Sequence, residues 1–430
     1  MSDHDTIERM QRLIVSLFFV FMLLPFHPVV LSAQNKPERP HIIQPGDTWT
    51  ALSFRLGVSK TSLLKAEGAV NPQLQPTMGS SISLGGYNRL NGRLLRPIAG
   101  GLLETAALQD RSTWEIALQN NLKHPYAPLL YKPVFLPGGS NPPLELPFGF
   151  EALSIFNLPA KPGQALALQA QSLPEMEAQI SLDSEKWATH RNGDRILGLG
   201  ATGAFFGAER PELRIQVDQH PLWVQPWLFE DGEWFFDQVS FTATAANEQE
   251  AIQMERERLQ QIWGQVTSEP LWTSAFTLPL QNYVEISSHY GARRSVNGGP
   301  YDTYHEGTDF SAYGGTPVYA PASGRVVLAE PLIVRGDAVI LDHGLGIHSG
   351  YYHLSSINVH SGDEVLAGDL LGEVGTTGRS TGNHLHWDLL IGTTWVDAEE
   401  WIDSNLSAWT LNAWGGPFPN LDRSDMPPNP

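Results

Sequence analysis

The chain has 430 residues and is 41% hydrophobic, too long for one ordinary domain and apolar enough to build several cores. Its 27 basic and 46 acidic residues give a net charge of −19, which excludes a nucleic-acid polyanion as partner, because binding one needs a basic surface. There is no cysteine, so disulfides and thiolate metal sites are excluded, and any metal must be held by histidines and carboxylates.

The 40 glycines and 32 prolines point to many turns and to more strand than helix. Residues 13–30, "LIVSLFFVFMLLPFHPVV", are apolar but broken by Pro25, His27 and Pro28, and small residues follow at Ser32 and Ala33. Residues 1–33 therefore read as a secretory signal, with an uncleaved membrane anchor as the alternative. Starting at Met10 would give the signal a better basic start, because Asp3, Asp5 and Glu8 precede Arg9 and Arg12. Both readings place the rest of the chain outside the cytoplasm, secreted or attached to the cell envelope.

After the polar linker "QNKPERP", residues 41–86 open with a short strand and a turn at Pro45-Gly46. Asp47 or Thr48 can cap a helix carrying Trp49, Leu52 and Leu56, which Gly57 ends. Thr61 can cap a second helix, and "MGSSISL" returns as a strand, giving a βααβ order. The run "IIQPGDTWTALSFRLGVSKTSLL" resembles a LysM domain. That resemblance implies binding of N-acetylglucosamine-containing glycan between residues 46–49 and 75–79, with Gly46, Asp47, Thr48, Trp49 and Gly79 as glycan-binding residues. Residues 92–139 echo the unit, closing in the strand "YKPVFLP". Residues 98–101, "IAGG", stand where the Gly-Asp-Thr turn would be, so this is a degenerate LysM-like repeat for which sugar binding is left open.

From 143 to 244 short apolar runs such as "QALALQAQS", "AQISLD", "RILGLGA" and "ELRIQV" alternate with Gly, Pro and Asn-Gly. This texture predicts an immunoglobulin-like β-sandwich acting as spacer or support. Trp223, Trp227, Trp234, Phe235 and Phe236 are expected as its core and edge packing. Residues 246–265 predict a linker helix with an apolar stripe at Ile252, Leu259 and Ile262. Residues 276–405 form the last domain, and 406–430 are expected as a C-terminal tail.

That last domain carries the chemistry. In "YHEGTDF", His305 and Asp309 are four apart, and both are good zinc ligands, but Gly307 favours a loop or strand entry over a helix. In "GNHLHWDLL", His384 and His386 fall on one face of a strand, with Leu385 and Trp387 on the other. Taken alone, His-x-His fits two ligands or one ligand and one base. The blocks "HEGTDF", "GTPVYAPASGRVV", "VILDHGLG", "YYHLSSI" and "GDLLGEVGTTGRSTGNHLHWDL" together resemble the M23 (lysostaphin/LytM-type) zinc metalloendopeptidase family over about 120 residues. The resemblance implies a β-rich fold with an antiparallel sheet and a Zn²⁺ site held by His305, Asp309 and His386. It also implies His353 and His384 as catalytic histidines, and an oxyanion role for Tyr301 or Tyr304. His343, His348 and His360 read as turn or surface residues, Asp337 and Asp342 as turn formers, and His289 and Arg293 as residues near the groove.

The expected protein is multidomain and mainly β: LysM units, a sandwich and an M23 domain. Its expected partner is peptidoglycan, with glycan held by LysM and peptide by the M23 domain, and the membrane met only through the N-terminal segment. The competing reading is a non-catalytic wall-binding regulator of other hydrolases, which would show a lost ligand; none of the five residues is missing. Self-remodelling and attack on competitors are not separable from residues alone.

Overall fold

A computed structural model describes residues 40–415, apart from 70, 72, 84–88, 98–100, 174–175 and 241–245. The signal or anchor segment, residues 98–100 of the degenerate turn and residues 416–430 of the tail lie outside the described residues. Strand His41–Ile42 pairs antiparallel with Ser81–Ile82, and helices Trp49–Leu56 and Lys60–Ala66 lie between them. Thr48 caps the first helix by accepting from Ala51 N–H, and Gly57 ends it in the left-handed region at φ 65°. Ser59 caps the second helix, accepting from Ser62 N–H, so Thr61 lies inside that helix instead of capping it. The second unit repeats the order, with Gly92–Leu95 paired to Val134–Pro137 around helices Leu102–Leu108 and Thr113–Gln119. Its small core of Leu102, Ile116, Leu129, Val134 and Leu136 is separate.

Residues 143–226 build two four-stranded antiparallel sheets. One runs Phe150–Ile155, Ala165–Ser172, Arg195–Ala201, Ala188–Asn192; the other runs Trp223–Pro226, Glu212–Val217, Ala178–Leu182, Glu185–Lys186. Leu166, Leu168, Ile180, Ile196, Leu213 and Ile215 fill the space between them and share one core with Ile43, Trp49, Leu52 and Leu63 of the first unit. The run "RILGLGA" shows why its glycines alternate with leucines. Leu197 and Leu199 turn away from that core and join the core of the last domain. Gly198 and Gly200 face inward, where a Cβ on Gly200 would lie 2.2 Å from the Trp187 indole. The first sheet is therefore buried on both faces.

The last domain is a ten-stranded sheet. Its main path is Glu285–Ser288, Thr308–Ser311, His384–Ile391, Ile347–Ile357, Gly336–Gly344, Gly324–Leu332, Glu364–Val365, with every pairing antiparallel. One face buries Phe310, Leu341, Tyr351, Leu385, Trp387 and Leu389 against Trp272, Phe276 and Trp401. The other face takes helix Ala246–Trp263, whose Leu259 and Trp263 pack on Leu328, Ile340, Tyr352 and Leu390. The expected linker helix is thus bound to the sheet it precedes, because Trp263 adds a large apolar surface to its stripe.

Two sequence expectations change here. Strand Phe236–Val239, assigned to the sandwich, pairs parallel with Arg293–Val296 in a three-stranded sheet completed by Tyr301–Tyr304. Accordingly Trp223 and Trp227 are buried core, while Phe235 and Phe236 are more than half exposed. The expected tail begins with a helix, Leu406–Gly415, whose Leu406 and Ala413 are buried and whose Ser407 carbonyl accepts from the Trp272 indole N–H. Its apolar run "LSAWTLNAW" covers the open end of the core, which is why it is ordered.

Candidate metal centre

Antiparallel register places Asp309 directly opposite His386 and Ser311 opposite His384. The period of two sends His384, His386 and Asp388 to one face of their strand, and Leu385, Trp387 and Leu389 to the core. His305 arrives from the turn just before Thr308–Ser311. Gly307 permits that approach: a Cβ there would stand 2.5 Å from the Trp387 carbonyl oxygen and 2.7 Å from His386 Nε2.

The three side chains converge. His305 Nε2 lies 3.0 Å from His386 Nδ1, and Asp309 Oδ1 lies 3.1 Å from the first and 2.8 Å from the second. Donors on a tetrahedral site with bonds of about 2.0–2.1 Å stand roughly 3.3 Å apart. The triangle therefore fits a small divalent metal. Burial raises the Asp309 pKa, but the neighbouring His305 and His386 imidazoles outweigh it and hold the carboxyl well below its usual range. Burial lowers the pKa of His386, against the pull of Asp309, which keeps its lone pair available.

Two more imidazoles stand beside the triangle. The His384 ring centroid is 4.7 Å from that of His353, and His384 Nε2 is 3.8 Å from Asp309 Oδ1. His384 Nδ1–H donates to the Gly382 carbonyl at 2.9 Å, so Nε2 faces the site. His353 sits at a β-bulge with φ 62°, a left-handed conformation uncommon for a side-chain-bearing residue. Its Nδ1–H donates to the Thr377 carbonyl at 2.8 Å, and burial pushes its pKa down to about 4, so it is neutral near pH 7.

The two tyrosines are not brought to this centre. Tyr304 pairs across the ladder with Arg293, on the face opposite Arg294, and its ring packs against Phe205 and Tyr290. Burial there pushes its hydroxyl up to about 12. Tyr301 is 41% exposed and packs edge-on against Phe236. Tyr304 ends its strand packed toward the sandwich, and the chain leaves the strand before His305 enters the site.

Residues 303–398 match the sequence model of peptidase family M23. The chain carries an M23 peptidase domain. The M23 segment is 38% identical over 113 residues to Peptidoglycan DD-endopeptidase ShyA of Vibrio cholerae serotype O1, covering 26% of this chain and 26% of that one. It is 38% identical over 109 residues to DD-carboxypeptidase/endopeptidase Mpg of Neisseria meningitidis serogroup B, covering 25% of each. The match thus spans about a quarter of the length of these curated relatives. Among solved structures, the catalytic domain of the antimicrobial peptidase lysostaphin from Staphylococcus simulans is 30% identical, with 31% of this chain and 92% of that one covered and a TM-score of 0.23.

Behind the M23 metal face lies a buried polar layer that sequence reasoning missed. Asp388 is fully buried, accepting from the Trp395 indole N–H at 2.9 Å and the Tyr352 hydroxyl at 3.3 Å, and burial raises its pKa. The period of two that paired His384 with His386 also reaches Asp388, so the signal was present. Arg294 reaches Asp309 Oδ2 at 3.6 Å, and nothing in the sequence marks it.

Two of the remaining histidines of the domain differ from expectation. His343 and His348 are fully buried strand residues, not surface turns. His343 Nδ1–H donates to the Ser323 carbonyl at 2.9 Å and Nε2 accepts from the Ser349 hydroxyl at 2.7 Å. Asp342 does hold its turn, accepting from Gly344 N–H at 2.7 Å, and it also accepts from the Thr267 hydroxyl. His360 is exposed, its side chain 92% accessible. His289 stacks on Phe235 at 4.5 Å, and Arg293 is held between Phe205 and Trp234 at about 4 Å from each ring.

In the first unit, Gly46, Asp47, Thr48, Trp49 and Gly79 do border one groove, but it is filled from within. Gln225 of the sandwich is fully buried in it. Its Oε1 accepts from Gly46 N–H at 2.9 Å, and its Nε2 lies 3.2 Å from the Gln44 carbonyl and 3.4 Å from those of Asp47 and Pro76. Glu145 N–H donates to the Gly46 carbonyl, the Thr48 hydroxyl donates to the Glu145 carboxylate, and Pro159 lies 3.0 Å from where a Gly79 Cβ would be. All five expected glycan-binding residues are thus buried against the core shared with the sandwich.

Proposed function

We propose that the chain is an exported, zinc-dependent endopeptidase that hydrolyses peptide bonds in peptidoglycan stem or cross-bridge peptides. The convergence of His305 Nε2, Asp309 Oδ1 and His386 Nδ1 within a few ångströms, flanked by two more imidazoles, is the observation that carries this reading. Two neutral imidazoles and one carboxylate suit Zn²⁺ and leave a position for water or substrate. A bound zinc ion supplies Lewis acidity toward the scissile carbonyl and acidifies a water.

The chain's own residues supply the rest. His305, Asp309 and His386 hold the metal and are kept rigid by the ladder that pairs Asp309 with His386. His384 and His353 anchor their Nδ1–H groups on backbone carbonyls and present Nε2 to the site. There they take a proton from the attacking water and return one to the leaving amine. The loop "GRSTG", residues 378–382, forms the rim beside His384.

Peptidoglycan as substrate is supported by the likeness to the peptidoglycan DD-endopeptidase ShyA, and a wall substrate implies export. No helix among the described residues is long and apolar enough to cross a membrane. Attachment to wall glycan through the first unit belongs to the proposal only with Gln225 displaced from the groove. The test is digestion of purified peptidoglycan by the zinc-loaded protein, with mass spectrometry of the fragments. Released muropeptides whose formation stops in His305→Ala and His386→Ala are expected. Undiminished hydrolysis by either variant, or by the chelated protein, would overturn the proposal.

A further inference from the structure

The metal triangle is supported by a residue from well outside the matched M23 segment. Strand Phe236–Val239 follows the sandwich and lies parallel to Arg293–Val296, which brings Asp237 beside Ser288. The Ser288 hydroxyl donates to Asp237 Oδ2 at 2.6 Å. A serine has a single hydroxyl proton, and an ionised carboxylate can only accept, so Ser288 Oγ must act as an acceptor toward its other neighbours. Those neighbours are His305 Nδ1 at 2.9 Å and an Arg294 Nη2–H at 3.4 Å. His305 Nδ1 also lies 3.1 Å from the His289 carbonyl oxygen, another pure acceptor. Both contacts require the proton of His305 on Nδ1, which leaves the Nε2 lone pair facing His386 and Asp309.

We propose that Asp237 is a positioning residue of the metal centre: through Ser288 it sets the tautomer and ring orientation of His305. Without Asp237 the Ser288 proton is free to turn toward His305 Nδ1, which favours the tautomer with hydrogen on Nε2 and no lone pair for a metal. Outer partners of metal-bound histidines typically contribute 10- to 100-fold in metal affinity. The His289 carbonyl persists in every variant, so the lower end of that range applies. Asp237 therefore makes the polypeptide that follows the sandwich part of the metal centre.

The inference rests on the metal-centre reading above, and one titration separates the two. Zinc affinity of the full-length protein is measured by competition with a chromophoric chelator, for wild type, Asp237→Ala, Asp237→Asn, Ser288→Ala and the double Ala variant. Wild type is expected to bind one zinc, and Asp237→Ala and Ser288→Ala to bind about 10-fold more weakly. The double variant should be no weaker than Ser288→Ala, since Asp237 acts through that hydroxyl. Asp237→Asn, nearly the same shape, keeps an acceptor for Ser288 and should fall between, and it serves if the alanine variant does not fold. Long-range ¹⁵N correlation spectra of the metal-free protein should show the His305 proton move from Nδ1 toward Nε2 in Asp237→Ala. A wild type that binds no zinc defeats the metal-centre reading and the inference with it. A wild type that binds zinc, with Asp237→Ala and Asp237→Asn within twofold of it or the two alanine losses additive, overturns the inference alone.

Discussion

Replacing Gln225 by alanine removes the side chain that joins the first βααβ unit to the sandwich. The amide makes one short bond, from Gly46 N–H at 2.9 Å, and three longer ones, to carbonyls at 3.2–3.4 Å. The truncation leaves Gly46 N–H buried and unpaired, which costs about 1–3 kcal/mol, and forfeits a net ~1 kcal/mol at the 3.2 Å contact. Partial filling of the space by water lowers the sum, so about 2–3 kcal/mol is expected. Gln225→Glu should be worse, because it sets a carboxylate oxygen against three carbonyls. The assay is thermal unfolding together with hydrogen exchange at the Gly46 amide, which should accelerate by about the same free energy. Once emptied, the groove is also expected to bind N-acetylglucosamine oligomers more tightly than wild type does. Gln225→Ala within ~0.5 kcal/mol of wild type, with Gly46 exchange unchanged, would show that Gln225 does not close this interface.

Other consequences follow from close contacts and burial. Gly200→Ala drives a methyl group into the Trp187 indole at 2.2 Å and should destabilise by about 1–3 kcal/mol, read as a lowered melting temperature. Gly307→Ala sets a methyl 2.5 Å from the Trp387 carbonyl oxygen and 2.7 Å from His386 Nε2; zinc affinity should fall at least 10-fold, and the strand shift the methyl forces should also lower the melting temperature. A zinc affinity equal to wild type would refute that reading of the approach. His343 has its pKa pushed down to about 4 by burial, against ~6.5 unfolded. The unfolded chain therefore takes up the proton first, and the stability this neutral imidazole contributes is lost as pH falls from about 6.5 to 4. The loss reaches about 3 kcal/mol. His343→Gln should lack that component, so its denaturation midpoint should fall less than that of wild type between pH 7 and 4.

The candidate site was largely legible in the sequence because its parts sit on regular elements. A strand repeats every two residues, so His384 and His386 had to share a face, and Gly307 marked a loop or strand entry beside His305. The order β, α, α, β of the first unit was legible from Thr48, Gly57 and the apolar spacing between them. The burial of His343 and His348 was not, because a polar residue in "DHGLGIHS" looks like turn material until strands on both sides cover it.

The sequence alone determined the donor types, their spacing along strands and the absence of thiols, and through local periodicity which face each residue takes. Tertiary structure alone decided what lies against each face. Gln225 enters a groove some 180 positions earlier in the chain, Asp237 reaches His305 through Ser288, and helix Leu406–Gly415 closes a core instead of trailing as a tail. Periodicity specifies orientation about a local axis, whereas these partners are chosen by packing between distant segments, which no local pattern encodes.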